Sequence, residues 1–242
     1  MDRINYTKED FNRFWKNLLY LGTGSEGVCK RLNKREIMKY LNGPDNRNLS
    51  EEDILKYKNI EQKTYIFAHK VFYIDDVLSG YITRYSKGKN LIEINRDKIL
   101  FDKIINGCKI VEEDTKILSD SGIKTCDILF NILYQNGVFN IIDTFEYNNS
   151  DIQSDLLYKK NISIFNYSIL EFLIKDRFYR FVFSSNELSK YYDSVENGES
   201  IVPFLKLLKQ RLSEYCDKEV KTVESAGKAI SLCHKSIYPQ YF

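Results

Sequence analysis

The amino-acid sequence predicts an α+β fold in two parts, a strand-rich first part and a mainly helical second part. Up to about residue 86, most apolar residues fall in short runs rich in Val, Ile, Tyr and Phe that have the length of strands. From about residue 150 onward, apolar residues recur at helical spacing instead. The segment "SKGKN" at 86–90 has the small and charged residues of a linker. We therefore expect two domains, 1–86 and 87–242.

The first part begins with a predicted amphipathic helix. Residues 7–19 start with a Thr-x-x-Asp cap-like pattern and place five apolar side chains at helical spacing. Residues 28–41 fit either one helix or two strands around a tight turn at 33–35. Three further elements precede the linker, a helix with Ser50 as its N-cap and two strand-like runs, at 51–61, 64–75 and 78–86.

The second part combines helices with one hairpin. Residues 95–118 predict a long helix, and two apolar runs around Asn136-Gly137 predict a β-hairpin. Residues 161–174 are so apolar that we expect a buried central helix. Residues 202–215 predict an amphipathic helix with Pro203 in its first turn.

Composition limits the possible classes of function. The 242 residues are 43% hydrophobic, enough for a sizeable core, and the formal net charge is only +2. Lys and Arg are spread along the chain, so we expect no nucleic-acid partner. No apolar run reaches the length of a membrane span, and the start of the chain lacks the apolar segment of a signal peptide. These features predict a cytoplasmic protein without a membrane partner.

Neither the cysteines nor the histidines indicate a metal site or a disulfide framework. The five cysteines are an odd number, are widely spaced and contain no Cys-x-x-Cys pair. The two histidines lie far apart, so a histidine-based metal site would need other ligands. Reduced thiols in a cytoplasm are the simpler interpretation.

A glycine motif raises the question of function. Residues 20–30, "YLGTGSEGVCK", contain Gly22, Gly24 and Gly27 in the spacing G-x-G-x-x-G. Dinucleotide-binding turns, the phosphate loops of protein kinases and plain hairpin turns share this spacing, so the motif alone is weak. A Walker A loop is excluded because no Gly-Lys-Ser/Thr follows. A dinucleotide site requires alternating strands and helices, and the chain does not alternate after residue 60.

The segments around the glycines resemble the first strands and first helix of the protein-kinase superfamily. Val28 stands where the family has Val after the third glycine, and "EIMK", ending at Lys39, resembles the Val-Ala-Ile-Lys strand. "SEEDILKYKN" resembles the family's first helix, in which Glu51 precedes an Ile-Leu pair. The resemblance implies that Lys39 holds the α- and β-phosphates of ATP beneath the glycines, oriented by Glu51 or by its neighbour Glu52.

The segment "GYITRYSKGKNL" resembles the strand and hinge that bind adenine in this family. The resemblance implies that backbone groups at Arg84 and Tyr85 contact the base.

The segment "CDILFNILYQNGVFNIIDTFEY" resembles the catalytic loop and the metal-binding strand. The resemblance implies that Asp127 is the catalytic aspartate, and that Asn131 and Asp143 hold Mg²⁺. Each residue also has a structural interpretation, Asp127 as an N-cap and Asn131 as a turn residue. Asp143 is harder to explain in that way. It ends the apolar run "FNII", where a carboxylate is costly to bury unless a cation or donors meet it.

The resemblance covers roughly residues 18–175 and is strongest with small, divergent kinase-like proteins of low-GC bacteria and phages. It implies a two-lobed kinase-like fold, with a small antiparallel N-lobe and a mainly helical C-lobe. It further implies a phosphotransferase that uses ATP and Mg²⁺ and an unknown acceptor, either a protein or a small molecule.

The chain departs from the family pattern near Asp127. Thr125 and Cys126 replace the usual His-Arg or His-Gly, and Asn131 follows Asp127 by four residues instead of five. Thr-Phe follows Asp143 in place of Phe-Gly, and no Ala-Pro-Glu is present. These departures leave a second hypothesis open, a pseudokinase that acts as a nucleotide-binding or regulatory module.

Overall fold

The structure is a computed structural model that describes residues 2–43, 50–175, 178–228 and 230. It has the α+β class that the sequence predicts, with a mixed six-stranded sheet and several helices. The described residues divide into two compact units. The first unit holds the residues up to Glu61, then Tyr65–Lys87 and Asp143–Phe145. The second holds Gln62–Thr64, Gly88–Ile142 and the residues from Glu146 onward.

The first unit is built on the six-stranded sheet, whose strand order is β1-β5-β6-β4-β3-β2. Its strands are β1 Arg3–Tyr6, β2 Leu19–Thr23, β3 Gly27–Arg31, β4 Glu36–Leu41, β5 Ala68–Ile74 and β6 Val77–Arg84. Residues 28–41 therefore form a hairpin and not a helix. Strands β2 to β6 pair antiparallel, as expected for residues 18–86, and β1 pairs with β5 in parallel, which makes the sheet mixed. The sequence analysis did not predict β1.

One face of this sheet packs against helix α1, Lys8–Lys16. The side chain of Thr7 accepts a hydrogen bond from the Asp10 N–H at 3.1 Å, which confirms the predicted cap. Phe11 is buried and stacks on Phe72, with 5.6 Å between the ring centroids. Met38 joins the same apolar cluster. This packing fixes which residues of β4 point toward α1 and leaves the alternate ones for the opposite face.

The opposite face of the sheet carries a second apolar cluster, which includes Leu41, Val71 and Tyr81. Helix α2, Glu51–Leu55, adds Ile54 and Leu55 to this cluster. Ser50 and Asp53 form a reciprocal capping box at its start, as the acidic first turn predicts. The helix ends at Leu55, well before the predicted end at residue 61, and tighter turns follow it, in which the Lys58 N–H donates to the Leu55 carbonyl at 3.0 Å.

The second unit contains the helical part of the chain. Its strands are β7 Lys89–Asn90, β8 Ile123–Lys124, β9 Ile132–Gln135, β10 Val138–Ile141 and β11 Asn148–Asn149. Its helices are α3 Phe101–Asp120, α4 Ser154–Leu173, α5 Tyr179–Phe183, α6 Asn186–Glu196 and α7 Ile201–Tyr215. The predicted hairpin, buried central helix and C-terminal amphipathic helix are confirmed as β9–β10, α4 and α7. No helix of the described residues is long and apolar enough to cross a membrane.

Two local differences from the sequence expectation have clear causes. Helix α3 begins at Phe101 and not at residue 95. The side chains of Asn90 and Asn95 accept backbone N–H groups two residues later and hold short 3₁₀ turns before it. At the β9–β10 turn, Asn136 and Gly137 have φ of 49° and 92°, the left-handed pair that a two-residue hairpin requires.

Candidate functional site

The glycine motif lies in the turn between the antiparallel strands β2 and β3, as a kinase-type loop would. The Gly24 N–H donates to the Gly27 carbonyl at 2.9 Å. A Cβ at Gly27 would lie 2.1 Å from the Tyr40 carbonyl oxygen, so close strand packing requires this glycine. Among the described residues, nothing lies within 4 Å of a Cβ built at Gly22 or at Gly24. Strand packing therefore does not explain these two glycines, whose positions face open space.

A row of directly opposite residues crosses the sheet beneath the loop. Gly22 lies opposite Cys29, Cys29 opposite Lys39, and Lys39 opposite Tyr81. Residues directly opposite each other in antiparallel strands point to the same face. Lys39 therefore lies on the sheet face toward which a side chain at Gly22 would point. Val28 lies opposite Tyr40, so its side chain points to the other face of the sheet.

Lys39 is the centre of a buried ion cluster. Its side chain is only 11% exposed, and its Nζ donates to Glu26 Oε2 at 2.6 Å. The same ammonium donates to Asp143 Oδ1, across 104 positions of sequence. Asp143 Oδ1 also accepts the Tyr81 hydroxyl at 3.4 Å. The cluster places one cation between two carboxylates and a phenol.

The electrostatics of the cluster keep Lys39 charged. Burial by itself opposes the ammonium, but the neighbouring Tyr81, Asp143 and Glu26 outweigh it and raise the pKa of Lys39 above its usual value. Burial raises the pKa of the Tyr81 phenol and of the Cys29 thiol, so both groups stay neutral near neutral pH. Lys39 is thus a fixed positive charge on the sheet face beside the open glycines.

Local contacts explain how Asp143 reaches Lys39. Asp143 has φ of 59°, a left-handed conformation that Asp tolerates better than most residues. The next residue, Thr144, donates its hydroxyl to the Ile66 carbonyl at 2.9 Å. Phe145 then stacks on Tyr81, with 6.2 Å between centroids. The sequence predicts that this carboxylate needs a cation or hydrogen-bond donors beside it, and Lys39 is that cation.

The expected partner of Lys39 is corrected by the structure. Glu51 accepts a hydrogen bond from the Tyr73 hydroxyl at 3.1 Å, and the ion-pair partners of Lys39 are Glu26 and Asp143. Sequence reasoning missed Glu26. The Asn42 N–H donates to the Glu26 carbonyl at 2.8 Å and fixes this loop residue against the end of β4. Its place between Gly24 and Gly27 was the available signal, although loop sequence does not show where a side chain points.

The predicted adenine contact lies at Arg84 and Tyr85, at the end of β6. The Tyr85 N–H donates to the Arg35 carbonyl at 2.6 Å, so this donor is already used. The Tyr85 ring lies 4.3 Å from the Arg31 guanidinium carbon. Arg84 ends β6, opposite Glu36. A base at this edge would have to use backbone groups other than the Tyr85 N–H.

The remaining predicted residues, Asp127 and Asn131, form a pair in the second unit. Asn131 Nδ2 donates to the Asp127 carbonyl at 2.7 Å and to Asp127 Oδ2 at 3.3 Å. Asp127 has φ of 45°, and the Asn131 carbonyl accepts the Ile142 N–H at 2.9 Å. The structure therefore brings the four predicted polar residues together as two pairs, Lys39 with Asp143 and Asp127 with Asn131.

The described side chains could supply only part of the ligands of a magnesium ion. Among the described residues, no group of three or more His, Cys, Asp or Glu side chains could hold a metal. Mg²⁺ usually binds one or two carboxylates together with substrate phosphates and water, so a complete protein cage is not needed. Asp143 supplies such a carboxylate, and its side chain is 32% exposed. The four cysteines in the described part of the chain are free thiols.

Comparison with known proteins does not add a family. No family model matches the chain, and no curated protein matches it significantly.

The two kinds of glycine should respond differently to a methyl group. Gly24→Ala should leave the free energy of unfolding unchanged or raise it by up to about 1 kcal/mol, because the site is open and alanine restricts the unfolded chain. Gly27→Ala should lower it by about 1–3 kcal/mol or more, because the methyl group meets the Tyr40 carbonyl. Urea denaturation measures both. Equal losses in the two variants would mean that Gly24 is also needed by the fold.

The ion cluster should show strong coupling. Lys39→Met leaves two carboxylates facing each other, and we expect a loss of about 2–4 kcal/mol, reduced from the buried-pair range because Asp143 is partly exposed. Adding Glu26→Gln and Asp143→Asn to this variant should recover most of the loss. Urea denaturation of the single and triple variants tests this. If the loss in the triple variant equals the sum of the losses in the three single variants, the three side chains do not act as a cluster.

Proposed function

We propose that this protein is an ATP-dependent phosphotransferase with a protein-kinase-like, two-lobed fold. The observation that carries the proposal is the ion pair between Lys39 and Asp143 beside the open glycines. The kinase resemblance assigns phosphate binding to this lysine and metal binding to this aspartate. The two side chains lie 104 positions apart in sequence and are in contact, and the assigned roles need them close together.

The charge of the cluster fits a polyphosphate. Lys39 offers a buried ammonium, which interacts more strongly with an anion than an exposed one would. Gly22 and Gly24 leave room for phosphate oxygens to approach backbone N–H groups. The Glu26 carboxylate occupies one partner position of Lys39 and stands where a phosphate oxygen would be placed. Nucleotide binding would therefore displace Glu26 from Lys39.

Phosphoryl transfer requires mainly positioning and neutralisation of charge. In the proposal, Lys39 orients the α- and β-phosphates, and Mg²⁺, when bound through Asp143, neutralises the charge that develops on the phosphates. Asp127 and Asn131 keep the roles that the resemblance gives them, acceptance of the acceptor's proton and a second metal ligand. The acceptor itself is a hydroxyl group of a protein or of a small molecule.

Magnesium-dependent nucleotide binding should stabilise the folded protein through Asp143. Mg²⁺-ATP at about a hundred times its dissociation constant should raise the melting temperature of the wild type by roughly 5–10 °C. Asp143→Asn should lose most of the Mg²⁺-dependent part of that shift, because the amide cannot neutralise the ion. Differential scanning fluorimetry with and without EDTA measures both shifts.

The control is Asp76→Asn, which changes another aspartate at positive φ in the first unit, at an exposed turn. It should keep the full shift. The unliganded Asp143→Asn protein should melt below the wild type, because Lys39 loses one partner, so each shift is referred to its own unliganded value. A full shift in Asp143→Asn, or none in the wild type, contradicts the proposal.

A pseudokinase is the second candidate, and the segment before Asp127 favours it. Thr125 is completely buried and donates its N–H to Asn161 Oδ1 at 2.9 Å, so this residue serves the core. Packing thus accounts for Thr125, one of the two residues that replace the family's His-Arg. A nucleotide-binding module without transfer activity would use the same Lys39 cluster.

Single-turnover transfer from labelled ATP separates the two candidates. A phosphotransferase should label itself or a component of a cell extract, and Asp127→Asn should reduce labelling by about a hundredfold or more, because the proton acceptor is lost. Asp127→Asn should keep the Mg²⁺-ATP stabilisation. Stabilisation of the wild type without any labelling would favour the pseudokinase.

A further inference from the structure

A second cationic feature lies in the second unit. A cavity of about 400 Å³ is formed by the turns before α3, by β7 and by the β9–β10 hairpin. Of the residues that the structure describes, three lysines line it, Lys89, Lys98 and Lys103, and no acidic side chain does. We call this cavity the lysine pocket. Its volume falls in the range of pockets that bind small molecules.

The three lysines are not neutralised by the protein. Within the described part of the chain, none of them forms an ion pair or a side-chain hydrogen bond, and all three are exposed. Other lysines of this unit do pair, such as Lys209 with Asp102 at 2.7 Å. Three like charges around one cavity repel each other, and a bound anion would relieve that repulsion.

The start of α3 adds to the positive potential. Leu100, the residue before the helix, makes no capping hydrogen bond with its side chain, and the Phe101 N–H donates instead to the Lys221 carbonyl at 3.0 Å. Lys103 lies in that first turn, where a cation opposes the helix dipole. Asp102, the acidic residue of the turn, has its carboxylate engaged by Lys209. The charge of the pocket is therefore not balanced locally.

The walls of the pocket are apolar as well as cationic. Ile94, Ile99, Leu100 and Tyr134 line it, and Ile99 and Tyr134 are buried. Such walls favour a ligand with an organic part over a simple inorganic ion. Amide side chains at Asn95 and Asn136 add hydrogen-bonding groups at the same pocket.

We propose that the lysine pocket binds a small organic phosphate ester, with the phosphate at the lysines and the organic group on the apolar walls. The proposal does not depend on the phosphotransferase proposal, since none of its residues belongs to the Lys39 cluster. The pocket would serve as an effector or substrate-recognition site for a phosphorylated metabolite.

The test is a calorimetric titration of the intact chain with phenyl phosphate, inorganic phosphate and phenol as probes. Phenyl phosphate should bind in the millimolar range or tighter, and more tightly than either of the other probes. Lys98→Gln with Lys103→Gln should weaken it by about tenfold or more. The matched control, Lys160→Gln with Lys206→Gln, removes two exposed helical lysines outside the pocket and should keep the affinity.

The titration is repeated with Lys39→Met, which removes the cation of the other candidate phosphate site. Retained binding in that variant assigns the probe to the lysine pocket, whether or not ATP binds elsewhere. Three outcomes overturn the proposal: no binding of phenyl phosphate, equal weakening in the two double variants, or phenol binding as tightly as phenyl phosphate. Loss of phenyl phosphate binding in Lys39→Met alone would also overturn it.

Discussion

The buried ammonium of Lys39 is the constraint on which the first unit depends. A charge at this position of the sheet is tolerated only with carboxylates beside it, since an unpaired buried charge is strongly destabilising. Two segments distant in sequence supply them, the glycine loop through Glu26 and the segment after β10 through Asp143. The charge thus connects three separate parts of the chain.

This requirement accounts for the placement of Asp143–Phe145 in the first unit, although the residues on either side belong to the second. The carboxylate bonds to Lys39, Thr144 bonds to the Ile66 carbonyl, and Phe145 stacks on Tyr81. A purely structural cluster of this kind could be replaced by apolar residues at little loss of stability. Keeping a cation there, beside glycines that the strand packing does not require, is a feature that phosphate binding explains.

Under the proposed function, the cluster would keep the phosphate site folded before a ligand binds. Glu26 satisfies Lys39 from within the loop that would cover the nucleotide, so the lysine is never left without a partner. A phosphate group carries more charge than one carboxylate and can replace it. When a phosphate group binds Lys39, Glu26 would leave the lysine, whereas Asp143 would remain beside the ligand.

The sequence by itself determined the elements whose signals are local. The turn at Asn136-Gly137, the capping box at Ser50 and the apolar periodicity of α4 all depend on neighbouring residues, and all are present. The kinase resemblance selected Lys39 and Asp143 separately, one for phosphate and one for Mg²⁺, and it named Glu51 or Glu52 as the partner of Lys39.

Only the tertiary structure decided the parallel pairing of β1, the partner of Lys39 and the face on which Cys29 lies. Each depends on strand register, and a register shift between Tyr20 and Gly22 changes which residues of β2 face their partners. The backbone of Glu26 is held by a hydrogen bond from the Asn42 N–H, which lies on a neighbouring segment. Register and loop anchoring arise from contacts between segments, and local sequence patterns carry no information about them.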